Sequence, residues 1–361
     1  MPQGEWKRVA ERLHRENATA LLVNDPPHLS WLTGFRGSAG VLLVTVQGAF
    51  LCVDSRYGEV AGKMSGEGLA VVEAPLAGNL LKTALEVASP SLGEGPIGYL
   101  PRFVSGEVES RWADTIAQEI VSADQWVLRI RAVKSPNEEE GIRESARLNA
   151  ALFRHLMGLI APGVSERKLA SEVVRFALEE GAESMAFDPI VASGPLSSRP
   201  HACFTDRVIG GGEPLTVDLG VMVDGWASDM TRTWAVPGAP PSGLATEIHH
   251  IVLDALLLGI ERAEPGARCK DVDGASRDLI GGAGYGEAFG HSLGHGLGRE
   301  CHESPHVSQK EEMNLESGMV ITIEPGIYLP GQMGVRIEDT VVVGREDSVL
   351  GDGVPREFLA I

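Results

Sequence analysis

Three histidines lie close together in a glycine-rich stretch of this 361-residue chain. The segment GHSLGHGLGRECHESP places His291, His295 and His302 within 12 positions. Its glycines disfavour a helix, because each costs about 1 kcal/mol relative to alanine in a helix interior. Glycine also lets a backbone approach a ligand closely. The pattern indicates a loop or twisted strand that holds imidazoles around a ligand, with ordinary surface histidines as the alternative.

Two carboxylates share one face of a predicted β-hairpin. In TVDLGVMVDGWASDMTRTW, the dipeptide Asp224-Gly225 is a typical two-residue hairpin turn. Side chains alternate along a strand, so Asp218, Asp229 and Thr231 then lie on the same face. Two carboxylates on an apolar face repel one another and lose hydration unless a cation neutralises them. The hairpin predicts a divalent-cation site, and acids on a solvated strand edge are the alternative.

A second acidic segment, ITIEPGIYLPGQMGVRIEDTVVV, repeats this arrangement with Glu324 and Glu338. Arg336 lies two residues before Glu338 and therefore on the same face. The four carboxylates and one histidine of the glycine-rich stretch make five ligands, mostly oxygen donors. This set suits two divalent ions per chain, with Mn²⁺ expected first and Co²⁺ or Zn²⁺ as alternatives. Such a pair lowers the pKa of a shared water, which predicts a hydrolase.

Cys301, next to His302, offers a different chemistry, that of a thiol nucleophile. Cysteine more often serves as a small packing residue, which is the favoured interpretation here. The chain has four cysteines, and they show neither CxxC spacing nor a disulfide-dense pattern. This usage is typical of a reducing cytoplasm, where we expect the protein to reside.

The composition excludes several classes of partner. The formal net charge is -19, from 50 acidic and 31 basic residues. An acidic chain without a basic run argues against nucleic acid or an anionic membrane surface as partner. The N-terminus is charged and lacks the apolar core of a signal peptide. The longest apolar run, IVLDALLLGI, is interrupted by Asp254 and is shorter than the roughly 20 residues that span a bilayer.

Taken together, the motifs resemble the ligand set of the "pita-bread" metallopeptidases of family M24, which include methionine aminopeptidase, aminopeptidase P and prolidase. The similar segments are VDLG, SDMT, HSLGHGLGRECHE, TIEPG and VRIEDT. WLTGFRGSAG resembles the creatinase-type N-terminal domain of the Xaa-Pro branch, which methionine aminopeptidases generally lack. The resemblance implies an α/β (α+β) fold, with a creatinase-like domain at residues 1–130 and a pita-bread catalytic domain at 131–361.

The resemblance assigns roles by position. It implies these metal ligands: Asp218, Asp229, His295, Glu324 and Glu338. Asp229 and Glu338 are then expected to bridge two ions. It also marks His201, His291 and His302 as catalytic and substrate-binding residues.

From these roles we expect Glu324 to carry a proton from water to the proline nitrogen. His201 and His302 would hydrogen-bond the scissile region or the proline carbonyl, and His291 would line the proline pocket. Arg336 would orient Glu338 or another ligand carboxylate. Arg36, flanked by glycine-rich sequence, is a candidate cation for a dipeptide's carboxylate, against the alternative of a surface arginine without a role.

The expected activity is metal-dependent hydrolysis of Xaa-Pro bonds in small peptides, most simply by an Xaa-Pro dipeptidase (prolidase). An Xaa-Pro aminopeptidase acting on longer peptides is the closest alternative. A non-catalytic peptide-binding protein is a remote one, because retention of all five ligands weighs against it. Homodimers are common in the family that the motifs resemble, so the resemblance implies a homodimer.

Short apolar segments separated by turn residues predict strands in the first domain. Helices are predicted between them over 3–16, 56–64 and 105–119. Ser135-Pro136 is an N-cap followed by proline at the first helical position, which predicts a helix over 136–160 and a domain border near residue 130.

Beyond that border the sequence pattern repeats with a period of about 103 residues. APGVSERKLASEVVRFALEEGA resembles EPGARCKDVDGASRDLIGGAG, and an acidic hairpin follows each. The repeat predicts two α-β-β halves, related by a pseudo-twofold axis, that bring both hairpins to one central site.

Overall fold

The apolar segments near the N-terminus form one mixed sheet. Segments such as ALLV and VLLVT are buried along their whole length, as strands covered on both faces are. The strands are β1 (Ala20–Val23), β2 (Val41–Thr45), β3 (Gly48–Val53), β4 (Leu69–Glu73), β5 (Ile97–Tyr99) and β6 (Ile120–Ser122). Their order in the sheet is β4-β3-β2-β1-β5-β6.

The computed structural model describes residues 5–76, 78–351 and 353–358. The chain divides into two compact units, Met1–Arg131 and Ala132–Ile361.

Six helices accompany this sheet among the described residues. They are α1 (Trp6–Leu13), α2 (Pro26–Thr33), α3 (Gly58–Gly62), α4 (Leu80–Ala88), α5 (Gly106–Thr115) and α6 (Asp124–Ala132). The three predicted helices correspond to α1, α3 and α5, each shorter than expected; positions 3 and 4 lie outside the described residues. The helix α5 stops four residues early because Ile116 is already extended, leading into β6.

The second unit begins with the predicted capped helix, α7 (Pro136–Met157). The Ser135 side chain accepts from the backbone N–H of Glu138, whose carboxylate accepts in return from the Ser135 N–H, a capping box that satisfies two unpaired helix donors. The helix ends three residues before the predicted residue 160, because Gly158 closes it with bonds back to the last turn.

The predicted internal repeat is confirmed in the helices that follow. The helix α8 (Glu166–Glu179) and the helix α10 (Cys269–Gly282) have the same length and are offset by 103 residues at both ends. The glycines before them, Gly163 and Gly266, both adopt φ +94°. This left-handed conformation favours glycine and makes the two turns equivalent.

The strands of the second unit divide between the two halves. The first half contains β7 (Ser184–Met185), β8 (Ile190–Ser193), β9 (Pro214–Leu219), β10 (Val221–Val223), β11 (Trp226–Ala227) and β12 (Met230–Ala235). The second contains β13 (Gly294–Gly296), β14 (Glu303–Val307), β15 (Val320–Ile323), β16 (Gly326–Leu329), β17 (Met333–Arg336) and β18 (Asp339–Val342). The sheets are ordered β12-β9-β8, β11-β10-β7, β14-β13-β15-β18 and β16-β17.

The helix α9 (Gly243–Arg262) contains the longest apolar run and is longer than that run. Its 20 residues and a window of mean hydropathy 1.4 would suffice to cross a membrane by length and composition alone. Core helices share these properties, and α9 buries Ile248, Val252 and Leu256 in the apolar core of the second unit.

Candidate metal centre

The first acidic hairpin bends at the point where its carboxylates lie. The strand β9 pairs with β12 in the predicted register, with Asp218 opposite Thr231. The hairpin passes from one sheet to another at Gly220 and at Ser228-Asp229. A Cβ on Gly220 would lie 2.2 Å from the Ser228 carbonyl oxygen, so only glycine permits this close approach. The bend places Asp229 at the junction of two sheets.

The second acidic hairpin repeats this bend. Ile323 pairs with Asp339 between β15 and β18, and Gly326 pairs with Arg336 between β16 and β17. The unbroken register between these pairs sets Glu324 opposite Glu338 at the gap between the two sheets. Each hairpin therefore carries acidic side chains at the point where it changes sheet.

The two hairpins meet through Thr231 and Glu338. The Glu338 N–H donates to the Thr231 carbonyl oxygen at 3.0 Å, and the Thr231 hydroxyl donates to Glu338 Oε2 at 2.8 Å. This backbone bridge joins the two halves directly. It brings acids that are about a hundred residues apart in sequence to one place.

His295 projects from β13 into the same cluster. Its Nε2 lies 3.4 Å from Glu324 Oε1 and 3.7 Å from Asp229 Oδ2. Its Nδ1 lies 3.0 Å from the Gly296 carbonyl, which assigns the ring proton to Nδ1 and leaves Nε2 available as a ligand. Burial lowers the pKa of His295 to about 4, so the imidazole is neutral, as a metal ligand must be.

The cluster fits a divalent cation. One ligand atom each from Asp229, His295 and Glu338 lies within 4.8 Å of the others, and all three residues are buried. Asp218 Oδ1 and Glu338 Oε1 are also buried and have no hydrogen-bond partner among the described residues. Buried carboxylate oxygens without a donor are unfavourable unless a cation neutralises them. The donor set of four carboxylates and one imidazole matches hard and borderline divalent ions.

The electrostatics of the cluster lead to the same conclusion. Burial raises the pKa of Asp229 and Glu338 well above the usual range, and neighbouring carboxylates add to the effect. Burial raises the pKa of Glu324 to about 8. Burial thus favours the protonated form of these acids, so binding of a divalent ion competes with protonation.

Arg336 is buried beside the cluster and orients one of its carboxylates. Its Nη2 donates to Asp218 Oδ2 at 2.7 Å, its Nε to the Thr231 hydroxyl at 3.1 Å, and its Nη1 to the Tyr328 hydroxyl at 2.8 Å. Its partner is therefore Asp218 and not Glu338. With a fourth bond, from Nη1 to the Pro200 carbonyl at 3.2 Å, these fixed partners make Arg336 a positioning residue.

His291 lies at the side of the cluster next to Tyr328, a residue that sequence reasoning missed. The His291 Nδ1 lies 2.8 Å from the Ser292 carbonyl, and the Tyr328 hydroxyl lies 3.0 Å from Nε2 and donates to it. Burial lowers the pKa of His291 to about 4. Counting in steps of two from Glu324 would have found Tyr328, because alternate residues share a face.

The other two predicted histidines are exposed at the cluster. The ring of His302 is centred 4.3 Å from that of His295, and partial burial lowers its pKa. The charge of His201 affects both His302 and His291, which places it within electrostatic range of the site. Accessible imidazoles beside buried ligands are suited to contact a bound substrate.

Arg36 lies in the first unit, on the loop that follows α2, and is exposed. Phe35 and Gly37 on either side are buried. An exposed guanidinium on an anchored loop is compatible with a carboxylate contact. The role of Arg36 as a clamp stays a prediction.

Cys301 contacts a predicted ligand directly. Its Sγ donates to Asp229 Oδ2 at 3.0 Å. Burial and the nearby Asp229 raise the pKa of the thiol far above its usual value. A thiol that stays protonated is a weak nucleophile, which argues against nucleophilic catalysis by Cys301.

This fold and this site define a two-domain α/β protein with the centre of a metal-dependent hydrolase. Residues 140–345 match metallopeptidase family M24, and residues 6–133 match the creatinase/prolidase N-terminal domain. The chain belongs to metallopeptidase family M24.

Relatives and solved structures extend over almost the whole chain. The chain is 34% identical over 354 residues to an Xaa-Pro dipeptidase of Pyrococcus horikoshii, covering 98% of each protein. It is 36% identical to an uncharacterized peptidase of Bacillus subtilis, covering 94% of this chain and 95% of the other. An Xaa-Pro dipeptidase structure from Bacillus anthracis superposes with TM-score 0.89 at 33% identity, covering 98% of each chain. An X-Pro aminopeptidase structure from Thermotoga maritima gives 0.87 at 30% identity and 99% of each chain.

Proposed function

We propose that this metallopeptidase hydrolyses the Xaa-Pro bond of dipeptides, as an Xaa-Pro dipeptidase (prolidase). The observation that supports the proposal is a cluster of predicted ligands in a chain that is similar to Xaa-Pro dipeptidases over 98% of its length. Ligand atoms of Asp229, His295 and Glu338 lie within 4.8 Å of one another. Glu324 Oε1 lies 3.4 Å from His295 Nε2, and Asp218 accepts from Arg336 beside the cluster. The five ligands are Asp218, Asp229, His295, Glu324 and Glu338. Proline at the second position suits such a site, because its tertiary amide has no N–H to be satisfied.

We propose two divalent ions per chain, with Mn²⁺ as the first candidate and Co²⁺ or Zn²⁺ as alternatives. Bound ions of this kind supply Lewis acidity and a water of lowered pKa. The partnerless oxygens of Asp218 and Glu338 support the proposal. Elemental analysis after dialysis against each ion tests it, and a protein that holds no ion would contradict both the site and the activity.

Glu324 is the residue proposed to move the proton. Its Oε1 lies 3.4 Å from His295 Nε2 and 3.4 Å from the Thr322 hydroxyl, and its side chain is only 18% exposed. A carboxylate whose pKa burial has raised accepts a proton readily near neutral pH. It would take the proton of the attacking water and deliver it to the leaving proline nitrogen.

The accessible histidines are proposed to recognise the substrate. His302 and His201 would donate to oxygens of the scissile region. His291, whose ring packs edge-on against Phe289 at 5.0 Å, would form part of an apolar wall for the proline ring. Arg36 is the proposed cation for the dipeptide's free carboxylate.

The second candidate is an Xaa-Pro aminopeptidase, favoured by the similarity to the Thermotoga maritima enzyme. Hydrolysis of Ala-Pro and Ala-Pro-Ala by the metal-reconstituted protein separates the two. A higher kcat/KM for the dipeptide is expected. A clear preference for the tripeptide would assign the protein to the aminopeptidases.

A non-catalytic peptide-binding protein on the same fold is the remaining candidate. Such a protein has no reason to hold about two divalent ions per chain, so elemental analysis separates it from the enzyme. We further propose that the protein is a cytoplasmic homodimer whose partners include neither nucleic acid nor a membrane. Sedimentation analysis tests the oligomeric state, and cell fractionation tests the location.

A further inference from the structure

The chain segment between α10 and β13 is fastened to α10 by one arginine. Arg277 Nη1 donates to the Phe289 carbonyl oxygen at 3.0 Å, and Nη2 donates to the His291 carbonyl oxygen at 2.7 Å. The guanidinium also lies over the Phe289 ring, 4.2 Å from its centroid, which is within the range of a cation–π contact. Arg277 therefore holds both residues of the proposed apolar wall by their backbone, and one of them by its ring as well.

Asp273 orients Arg277 from one helical turn away on α10, where residues four apart are neighbours. Its fully buried carboxylate accepts from Arg277 Nε at 2.8 Å and from Nη2 at 2.9 Å. Bidentate pairing of this kind fixes the plane of the guanidinium. Asp273 Oδ1 also accepts from the Leu293 N–H at 3.0 Å. The pair of Asp273 and Arg277 thus binds the backbone at Phe289, His291 and Leu293.

The same segment contacts residues of the metal centre. The Tyr328 hydroxyl, which accepts from Arg336, lies 3.0 Å from His291 Nε2. The Glu324 N–H donates to the Leu293 carbonyl oxygen at 2.7 Å. The wall formed by Phe289 and His291 is therefore held between α10 and the hairpin that carries Glu324, and its position sets the space beside the metal centre.

We propose that Arg277, oriented by Asp273, is a positioning residue that sets the width of the proline pocket. The proposal rests on the proposed function, which assigns His291 and Phe289 to the wall beside the proline ring. A wall held by directed bonds excludes a larger ring, because an added methylene must displace it. Arg277 acts through this wall and not on the substrate itself.

The test compares hydrolysis of Ala-Pro with that of Ala-pipecolate, whose ring is larger by one methylene. Arg277→Lys keeps the positive charge next to buried Asp273, but a single ammonium cannot reproduce the fork that reaches the carboxylate and both carbonyls. Arg268→Lys is the matched control, because Arg268 forms an exposed pair with Asp271 at the start of the same helix. Mn²⁺ affinity is measured in parallel by titration calorimetry.

The wild type is expected to prefer Ala-Pro by about 10- to 200-fold in kcat/KM, the effect of one methylene in a fitted apolar pocket. On the same scale, Arg277→Lys should reduce this preference to about threefold or less, mainly through a higher KM for Ala-Pro. Arg268→Lys should keep the preference, and all three proteins should bind Mn²⁺ equally well. A retained preference in Arg277→Lys, or a loss of Mn²⁺ affinity in step with activity, overturns the proposal.

Two further outcomes separate this proposal from the proposed function. A wild type that hydrolyses Ala-Pro without a preference for ring size overturns the role of Arg277 and leaves the proposed function standing. A metal-reconstituted wild type that hydrolyses no Xaa-Pro peptide overturns both. Should Arg277→Lys not fold, the double variant Asp273→Asn with Arg277→Gln removes both charges together and leaves no unpaired buried ion. The same loss of preference is expected there, and its absence counts equally against the proposal.

Discussion

Thr231 and Glu338 are joined twice across the boundary between the two halves of the catalytic domain. A backbone bond of 3.0 Å and a side-chain bond of 2.8 Å link them. The same hydroxyl accepts from Arg336 Nε at 3.1 Å. One threonine thus holds a ligand carboxylate and the arginine that orients Asp218, so its hydroxyl should control the geometry of the metal centre.

Thr231→Val should weaken metal binding by about 10- to 100-fold, because removing a residue that hydrogen-bonds a metal ligand typically has an effect of this size. It should also destabilise the fold by about 1–3 kcal/mol, because buried polar groups lose their partner. Isothermal titration with Mn²⁺ and thermal unfolding check both effects. Thr231→Ser, which keeps the hydroxyl, is the control, and equal losses in the two variants would contradict the role of the hydroxyl.

Asp229→Ala should abolish metal pairing and reduce turnover to the detection limit, since Asp229 lies at the junction of the cluster. Elemental analysis and hydrolysis of Ala-Pro measure the two effects. Asp206→Ala, which removes an exposed acid paired with Arg167, should change neither. Near-normal turnover in Asp229→Ala would refute the site.

Arg336→Lys should lower kcat/KM by about 10- to 100-fold and weaken metal binding, although the charge is kept. A single ammonium cannot reproduce the three directed bonds to Asp218, Thr231 and Tyr328. Arg167→Lys, at an exposed ion pair, should have little effect. Unchanged metal affinity in Arg336→Lys would show that Asp218 needs no orientation.

The metal-free protein should lose stability as the pH rises from 6.5 to 8. Burial raises the pKa of Glu324 from 4.5 to about 8. Its contribution to the free energy of unfolding is therefore fully present below pH 4.5 and is lost as the pH rises to 8. The pKa values of His291 and His295 are lowered from 6.5 to about 4. These two groups therefore make the protein more stable as the pH rises, but only below pH 6.5. Thermal unfolding with and without Mn²⁺ should show a metal stabilisation that grows over this range. A flatter dependence is expected in Glu324→Gln.

Arg36→Ala should raise KM for Ala-Pro about tenfold or more, the cost of one charge-assisted hydrogen bond. Ala-Pro-Ala, whose carboxylate lies one residue farther on, should be affected less. Arg111→Ala, at another exposed arginine of the first domain, is the control. Equal effects on both peptides would remove Arg36 from the dipeptide site.

Local sequence was sufficient for the features that depend on neighbours in the chain. The Asp224-Gly225 turn sets the register that places Asp218 opposite Thr231, and the 103-residue repeat anticipates two equivalent helices. Helix ends were predicted less well, as at α5, because the start of the next strand decides where the helix stops.

The sequence by itself thus determined the chemical character of the site: paired acids in two hairpins and histidines in a glycine-rich stretch. Only the tertiary structure decided which atoms meet, including the partnership of Arg336 with Asp218 and the contact of Cys301 with Asp229. These partners are 118 and 72 residues apart. Their contact depends on the bends of both hairpins and the packing of one half against the other, which no local pattern encodes.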